Sequence, residues 1–145
     1  MERIIRSPQS VKEWELYYDV RYRILREPWQ QPSGSERNDG DTTALHFALF
    51  EGEKILGVGR LDQQGEGVSQ IRFMAVENEQ QGKSIGKELM LNMEQIALER
   101  GDHLVVLHAR EIAVDFYKKL GYSLIEKSHN LFGQIQHYLM EKKIG

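Results

Sequence analysis

The six residues Gln81-Gly82-Lys83-Ser84-Ile85-Gly86 gather two glycines, a lysine and a hydroxyl, and a second lysine, Lys87, follows directly. That composition suits an anion. Standing ahead of an amphipathic helix, the turn offers backbone N–H groups that have no intrahelical acceptor and carry partial positive charge, a natural seat for a pyrophosphate. Gly82 and Gly86 let the backbone approach such a group, and Lys83 and Lys87 add positive charge to a chain whose formal net charge is −3. On six residues alone, an ordinary strand-to-helix turn with capping residues stays open as the alternative. Other chemistry is bounded by residue type. With no cysteine in 145 residues, thiol nucleophiles, Cys-ligated zinc and iron–sulfur clusters are excluded, and five histidines remain as candidate ligands. His103 and His108, five apart, read as opposite faces of one strand and make a poor metal pair, so no metal is expected. Arg60 and Arg72 on adjacent strands could face an anionic substrate, but a solvated face is the simpler reading. Trp14 fits a helix stripe, and Trp29 sits nearer a substrate loop.

The elements that must position these residues follow from hydrophobic period. Met1 to Arg6 reads as a short strand, and Ser7-Pro8 as a helix start. Val11, Trp14, Tyr17, Tyr18, Arg21, Ile24 and Leu25 recur at helical spacing up to Glu27-Pro28. Gln30 to Thr43 is a polar loop. Ala44 to Phe50, Lys54 to Leu61 and Val68 to Val76 read as a meander of three strands, with a turn over Asp62 to Gly67. Ile85, Leu89, Met93, Ile96 and Ala97 mark a second helix, closed by Arg100-Gly101. His103 to His108 is an interior strand, Glu111 to Leu120 a third helix, and Tyr122 to Lys127 and Ile135 to Met140 close the chain across a turn at Ser128 to Gln134. The order predicts a mixed α/β sheet with one crossover unit, Val68 to His108, in a single domain over 1–145.

Gly82-Lys83-Ser84 looks like the end of a Walker A loop, but its opening glycine would fall on Glu77, and no later strand ends in the aspartate needed for magnesium. A different family fits. Gln81, Ser84 and Gly86 occupy the defined positions of Gln/Arg-x-x-Gly-x-Gly/Ala, the acyl-CoA loop of the GNAT superfamily of N-acetyltransferases, with Ser84 where that family usually has glycine. Downstream, Ala113-Val114-Asp115-Phe116-Tyr117-Lys118-Lys119-Leu120-Gly121-Tyr122 resembles the family's Ala-x-x-Phe-Tyr-x-Lys-x-Gly-Phe/Tyr segment. Tyr22 to Leu25, Glu36 to Asp41, His46, Gly57 to Leu61 and the tail Phe132 to Met140 with His137 are similar to small bacterial stand-alone members.

The resemblance implies a GNAT fold: a mixed, mostly antiparallel seven-stranded sheet flanked by helices, with a splayed central pair of parallel strands. It implies acetyl-CoA as cosubstrate and a primary amine as acceptor. The pantetheine arm would lie in the splay against Met74, Ala75 and Val76. Gln81, Gly82, Lys83, Ser84, Ile85, Gly86, Lys87 and Arg110 would complete the cofactor site, with Tyr117 donating to the departing thiolate. An amine with a pKa near 10.4 must shed a proton before attack. The position that carries a basic glutamate in histone-type members holds Gln70, which leaves His46, His108 and His137, then Glu36 or Asp39, as candidate bases. Direct transfer is expected, since there is no cysteine and no serine has a recognisable base partner. A non-catalytic acyl-CoA sensor is the competing expectation. Neither a whole-surface nucleic-acid footprint nor a membrane segment is expected: the charge is mildly acidic, and apolar runs such as Leu104 to Leu107 fall far short of the ~18 residues needed to span a bilayer. A cytoplasmic location is expected, and a homodimer is compatible with the resemblance without being encoded in any pattern here.

Overall fold

The computed structural model describes residues 2–145. Seven strands, β1 (Arg3–Arg6), β2 (Leu45–Glu51), β3 (Lys54–Gly65), β4 (Val68–Val76), β5 (Leu104–Arg110), β6 (Ser123–Leu131) and β7 (Ile135–Lys143), form one sheet in the order β1-β2-β3-β4-β5-β7-β6. Three helices accompany it: α1 (Val11–Leu25), α2 (Ile85–Glu99) and α3 (Val114–Lys119). Every strand pair is antiparallel except β4 and β5. This is the mixed sheet that the order of elements predicts.

The parallel pair is joined over three residues only. Val68 lies opposite Leu104, Ser69 opposite Val105 and Gln70 opposite Val106; beyond that point both strands continue without pairing to each other. The sheet therefore opens between the later halves of β4 and β5. The two strands take different neighbours there, β4 holding to β3 and β5 to β7.

The stripe Ile85, Leu89, Met90, Met93 and Ala97 buries one side of α2 against Leu49, Ile71, Val105 and Leu107. Two glycines of β3 make that approach possible. A Cβ at Gly57 would stand 2.8 Å from Ile85 Cγ2, and one at Gly59 would stand 2.6 Å from Met93 Cε. Helix α3 lies on the same face, with Phe116 over Gly86, and Tyr122, just beyond the helix, donates to Glu94 of α2. The other face belongs to α1, whose Tyr17, Val20 and Ile24 pack on Ala48, Phe50, Val58 and Ala75. A salt bridge from Arg23 to Glu77, at 2.8 Å, ties α1 to the end of β4.

Several boundaries differ from the sequence reading, each for a local reason. The cap of α1 is Ser10, whose hydroxyl accepts from Glu13 N–H at 3.1 Å, so the helix starts three residues after Pro8. Strand β3 runs on to Gly65 because Gln63 donates to the carbonyls of Gly65 and Val68 and to Asp102, giving polar residues a place in the ladder. Strand β6 runs to Leu131, held by Gln136 donating to the carbonyls of Ser128 and His129. The third helix is short, a 3₁₀ turn over Glu111–Ala113 leading into six α-helical residues. His103 precedes β5 and packs over Gly67. Arg60, expected on a solvated face, is buried between Asp62 and Asp41. Among the described residues, no helix is long and apolar enough to cross a membrane.

Candidate active site

The opening between β4 and β5 exposes backbone. Glu77 N–H donates to the Leu56 carbonyl at 3.0 Å. By the two-residue period of a strand, Ala75, paired with Val58, then also faces β3, while Val76 turns its N–H and C=O groups toward the opening. The backbone of Ala75 is thus turned from the opening, unlike that of Val76. Its methyl is buried under α1 instead.

At the far end of β4 the chain turns through Gln81 to Ser84 into α2. Gln81 Nε2 donates to the Val76 carbonyl at 3.3 Å and holds the turn against the strand. Gly82 and Ser84 both take left-handed backbone, with φ of +82° and +68°. The positive φ at Ser84 is the physical reason glycine suits this position, and serine adopts the same conformation at some cost in strain. Its hydroxyl caps nothing. Among the described residues, the N–H groups of Gly82, Ser84, Ile85, Gly86 and Lys87 have no acceptor, and Lys83 and Lys87 stand exposed beside them. Gly86 has a second reason to be small: a Cβ there would lie 3.0 Å from Phe116 Cζ.

A pocket of about 220 Å³ occupies the opening. Tyr117 enters from α3, Gln70, Arg72 and Met74 from β4, His108 and Arg110 from β5, and His129 and His137 from the closing hairpin. Arg26, just past α1, closes one side. Burial pushes the Tyr117 phenol up to about 12, and its hydroxyl makes no hydrogen bond to another described residue. The phenol is a protonated donor at any physiological pH. His108 Nδ1 lies 3.0 Å from Ser128 Oγ, and His137 Nδ1 lies 2.9 Å from the Ile135 carbonyl and donates to it, which leaves Nε2 of His137 as an acceptor. Burial lowers the proton affinity of both, followed for His108 by the neighbouring His129 and Arg72. His129 stacks on His137 with ring centroids 4.3 Å apart.

His46 stands apart from this group. It is buried against α1, with Nδ1 2.7 Å from the Tyr17 hydroxyl and Nε2 donating to the Asp41 carbonyl at 2.8 Å. Both nitrogens are engaged and the ring does not line the pocket, unlike those of His108 and His137. Glu36 is buried too, accepting from Gly34 N–H at 2.8 Å and from Arg37 at 3.2 Å. Asp39 opens a 3₁₀ turn capped by Asn38.

Three site residues escaped the sequence reading. His129 falls in the polar stretch that reads as a turn, although its even spacing from Leu131 and Lys127 continues strand β6. Arg26 lies one residue beyond the helix, where no period applies. Phe73 sits at a β-bulge with φ of +53°, unusual for an aromatic residue, and the extra residue opposite Gly59 sends Arg72 and Phe73 to the same face. No signal short of the fold marks that bulge.

An α/β sheet whose parallel pair parts beside an amide-rich helix start defines the acetyltransferase class of fold. The chain belongs to the Acetyltransferase (GNAT) family, whose pattern matches residues 13–122. It is 27% identical over 123 residues to the uncharacterized N-acetyltransferase YjcF of Bacillus subtilis (strain 168), covering 85% of this chain and 87% of that protein. An aminoglycoside 6'-N-acetyltransferase solved with coenzyme A superposes with a TM-score of 0.81 at 17% identity, over 100% of this chain and 98% of that one. The ribosomal-protein-S18-alanine N-acetyltransferase of Escherichia coli superposes with a TM-score of 0.77 at 17% identity, over 99% and 95%.

Proposed function

We propose that this chain transfers an acetyl or other short acyl group from coenzyme A to a primary amine by direct attack within a ternary complex. The observation that carries the reading is the convergence, at one opening, of unpaired β4 backbone, an uncapped helix start, a protonated phenol and two histidines of lowered proton affinity. The pyrophosphate would rest on the N–H groups from Gly82 to Lys87, and the pantetheine amides would pair with Met74 and Val76. One strand N–H would meet the thioester carbonyl, where negative charge grows as the amine attacks; a preorganised donor there is worth roughly 3–4 kcal/mol.

His108 is assigned as the base. It projects from the end of β5, and its lowered proton affinity keeps the imidazole neutral and able to accept at pH 7. Tyr117 donates to the departing sulfur. Complete proton transfer from a phenol pushed up to about 12 to a thiolate whose acid has an ordinary pKa of about 8.5 is uphill. The phenol therefore stabilises the thiolate as a hydrogen-bond donor, and the proton on sulfur follows from solvent or from the protonated base. In the absence of cysteine, a thioester intermediate on the protein is excluded.

The test couples binding to turnover. Acetyl-CoA at a hundredfold excess over its dissociation constant stabilises a single-site protein by about 2.7 kcal/mol, several degrees in melting temperature for this size. Tyr117→Phe should lower kcat by about two orders of magnitude with nearly unchanged acetyl-CoA affinity. Equal loss of both makes Tyr117 a packing residue. Binding without release of CoA thiol across a broad amine panel would make the protein an acyl-CoA sensor.

A further inference from the structure

We infer that the acceptor amine also carries an oxyanion, a carboxylate or a phosphate, which Arg26 and Arg72 hold at the α1 side of the pocket. The inference rests on the acyl transfer proposed above and adds the charge class of its acceptor. Among the described residues that line the pocket none is acidic, while three are arginines, in a chain with 22 acidic and 19 basic residues. That imbalance is local.

Four guanidinium groups surround the Phe73 ring: Arg21 at 4.3 Å from its centroid, Arg60 at 5.1 Å, Arg72 at 5.3 Å and Arg26 at 5.7 Å. Two of them are neutralised. Arg21 bonds Asp41 at 2.9 Å, and Arg60 bonds Asp41 at 3.0 Å and Asp62 at 2.5 Å, so two cations meet two carboxylates. The remaining two have no carboxylate within 4 Å among the described residues. Arg26 donates only to the carbonyls of Ser35 and Leu25, and Arg72 makes no hydrogen bond to the protein. Both stay protonated; partial desolvation, then Arg21 for Arg26 and Arg60 for Arg72, disfavours their charge, with Arg26 half-buried and Arg72 open to solvent. A net positive site held open in this way is satisfied by an anion from outside.

The cofactor phosphates do not meet that need. Their proposed seat is the start of α2, which packs on the opposite face of the sheet, whereas Arg72 and Phe73 face α1 because of the bulge in β4. Arg110 also lines the pocket from the end of β5, and its place beside Tyr117 fits the cofactor role proposed above. The same charge distribution disfavours polyamines and aminoglycosides, whose extra ammonium groups would have no counter-charge in the pocket.

The acceptor panel should therefore contain α-amino acids with their methyl esters, phosphoethanolamine, spermidine and kanamycin, read by release of CoA thiol. The best acceptors are expected to bear an oxyanion, and the two arms separate carboxylate from phosphate. In Arg72→Gln and Arg26→Gln, KM for the preferred acceptor should rise about ten- to hundredfold, and the preference for acid over ester should collapse. A second measurement does not depend on turnover: calorimetric binding of N-acetylglycine and N-acetylphosphoethanolamine in the presence of CoA, against N-acetylglycine methyl ester. Binding of an anionic product that is lost in Arg72→Gln upholds the inference even if no amine is acetylated, in which case the catalytic reading alone fails. Polycations as the best acceptors, or anionic and ester products bound alike, overturn it.

Discussion

His108 owes its lowered proton affinity first to burial, then to His129 with its ring centroid 5.3 Å away, then to Arg72. If its neutral form accepts the amine proton, kcat/KM must rise through a pKa below the ordinary 6.5 as the free enzyme loses that proton. Replacing His129 with asparagine removes one of the neighbours that depress it. The acid limb of the kcat/KM profile should move upward, toward 6.5, so that the variant is slower than the native protein near pH 6 and similar to it at pH 8. In His108→Asn the limb should vanish along with most of the rate. A limb that stays in place in His129→Asn, or survives in His108→Asn, assigns the base elsewhere, with His137 next in line because its Nε2 is free to accept.

At the scale of elements, the turn into α2 carries the cofactor argument, and its backbone can be tested apart from its side chains. Valine at Ser84 would have to adopt φ near the observed +68°, which a β-branched residue resists, whereas glycine reaches it freely. Ser84→Val should weaken acetyl-CoA binding about tenfold by titration calorimetry, consistent with a conformational cost of ~1–2 kcal/mol. Ser84→Gly should bind at least as well as the native protein. The buried stripe of α2 is untouched in both, so the ligand-free proteins should stay folded; the strain in Ser84→Val lowers the melting temperature by a few degrees if the loop keeps its φ, and appears in binding alone if the loop relaxes. Equal affinity in Val and Gly variants would mean that the loop backbone does not seat the phosphates.

The same scale separates what was legible in the sequence from what was not. Helix α2, the crossover unit and the segment holding Tyr117 follow from a 3.6-residue period and short motifs, because apolar stripes record burial directly. The polar ends of β3 and β6 did not, since Gln63 and Gln136 satisfy neighbouring carbonyls and let hydrophilic residues stay in the ladder. Burial of Arg21 and Arg60 depends on Asp41, which a loop brings across 20 and 19 residues of chain. Nothing periodic encodes a contact of that kind.

The molecule as a whole couples its stability to pH through groups whose proton affinities folding lowers. His46 is one, depressed by burial first and by Arg21 next, and His108 and His137 join it. A histidine depressed in the folded state binds more protons when unfolded, so the stability it contributes is complete above about 6.5 and is lost as pH falls through the lower, folded value. The carboxylates form a second window. Glu13, hydrogen-bonded by Arg6, is lowered to about 2 from 4.5. Burial pushes Asp41 and Asp102 upward, but their ionic and hydrogen-bond partners outweigh it and hold both below the usual range. Their contribution is present above about pH 4 and disappears toward pH 2. The melting temperature should accordingly be level between pH 7 and 8, decline between pH 6.5 and 5, and fall further below pH 4. In His46→Asn it should be lower at pH 7.5, because the Tyr17 and Asp41 bonds at 2.7 and 2.8 Å are disturbed, while its slope between pH 6.5 and 5 should be shallower. A native melting temperature that stays level down to pH 5, or an unchanged slope in the variant, would show that His46 is not held neutral by the fold. The measurement belongs on the ligand-free protein, since any bound acyl-CoA or acceptor would add its own protonation to the curve.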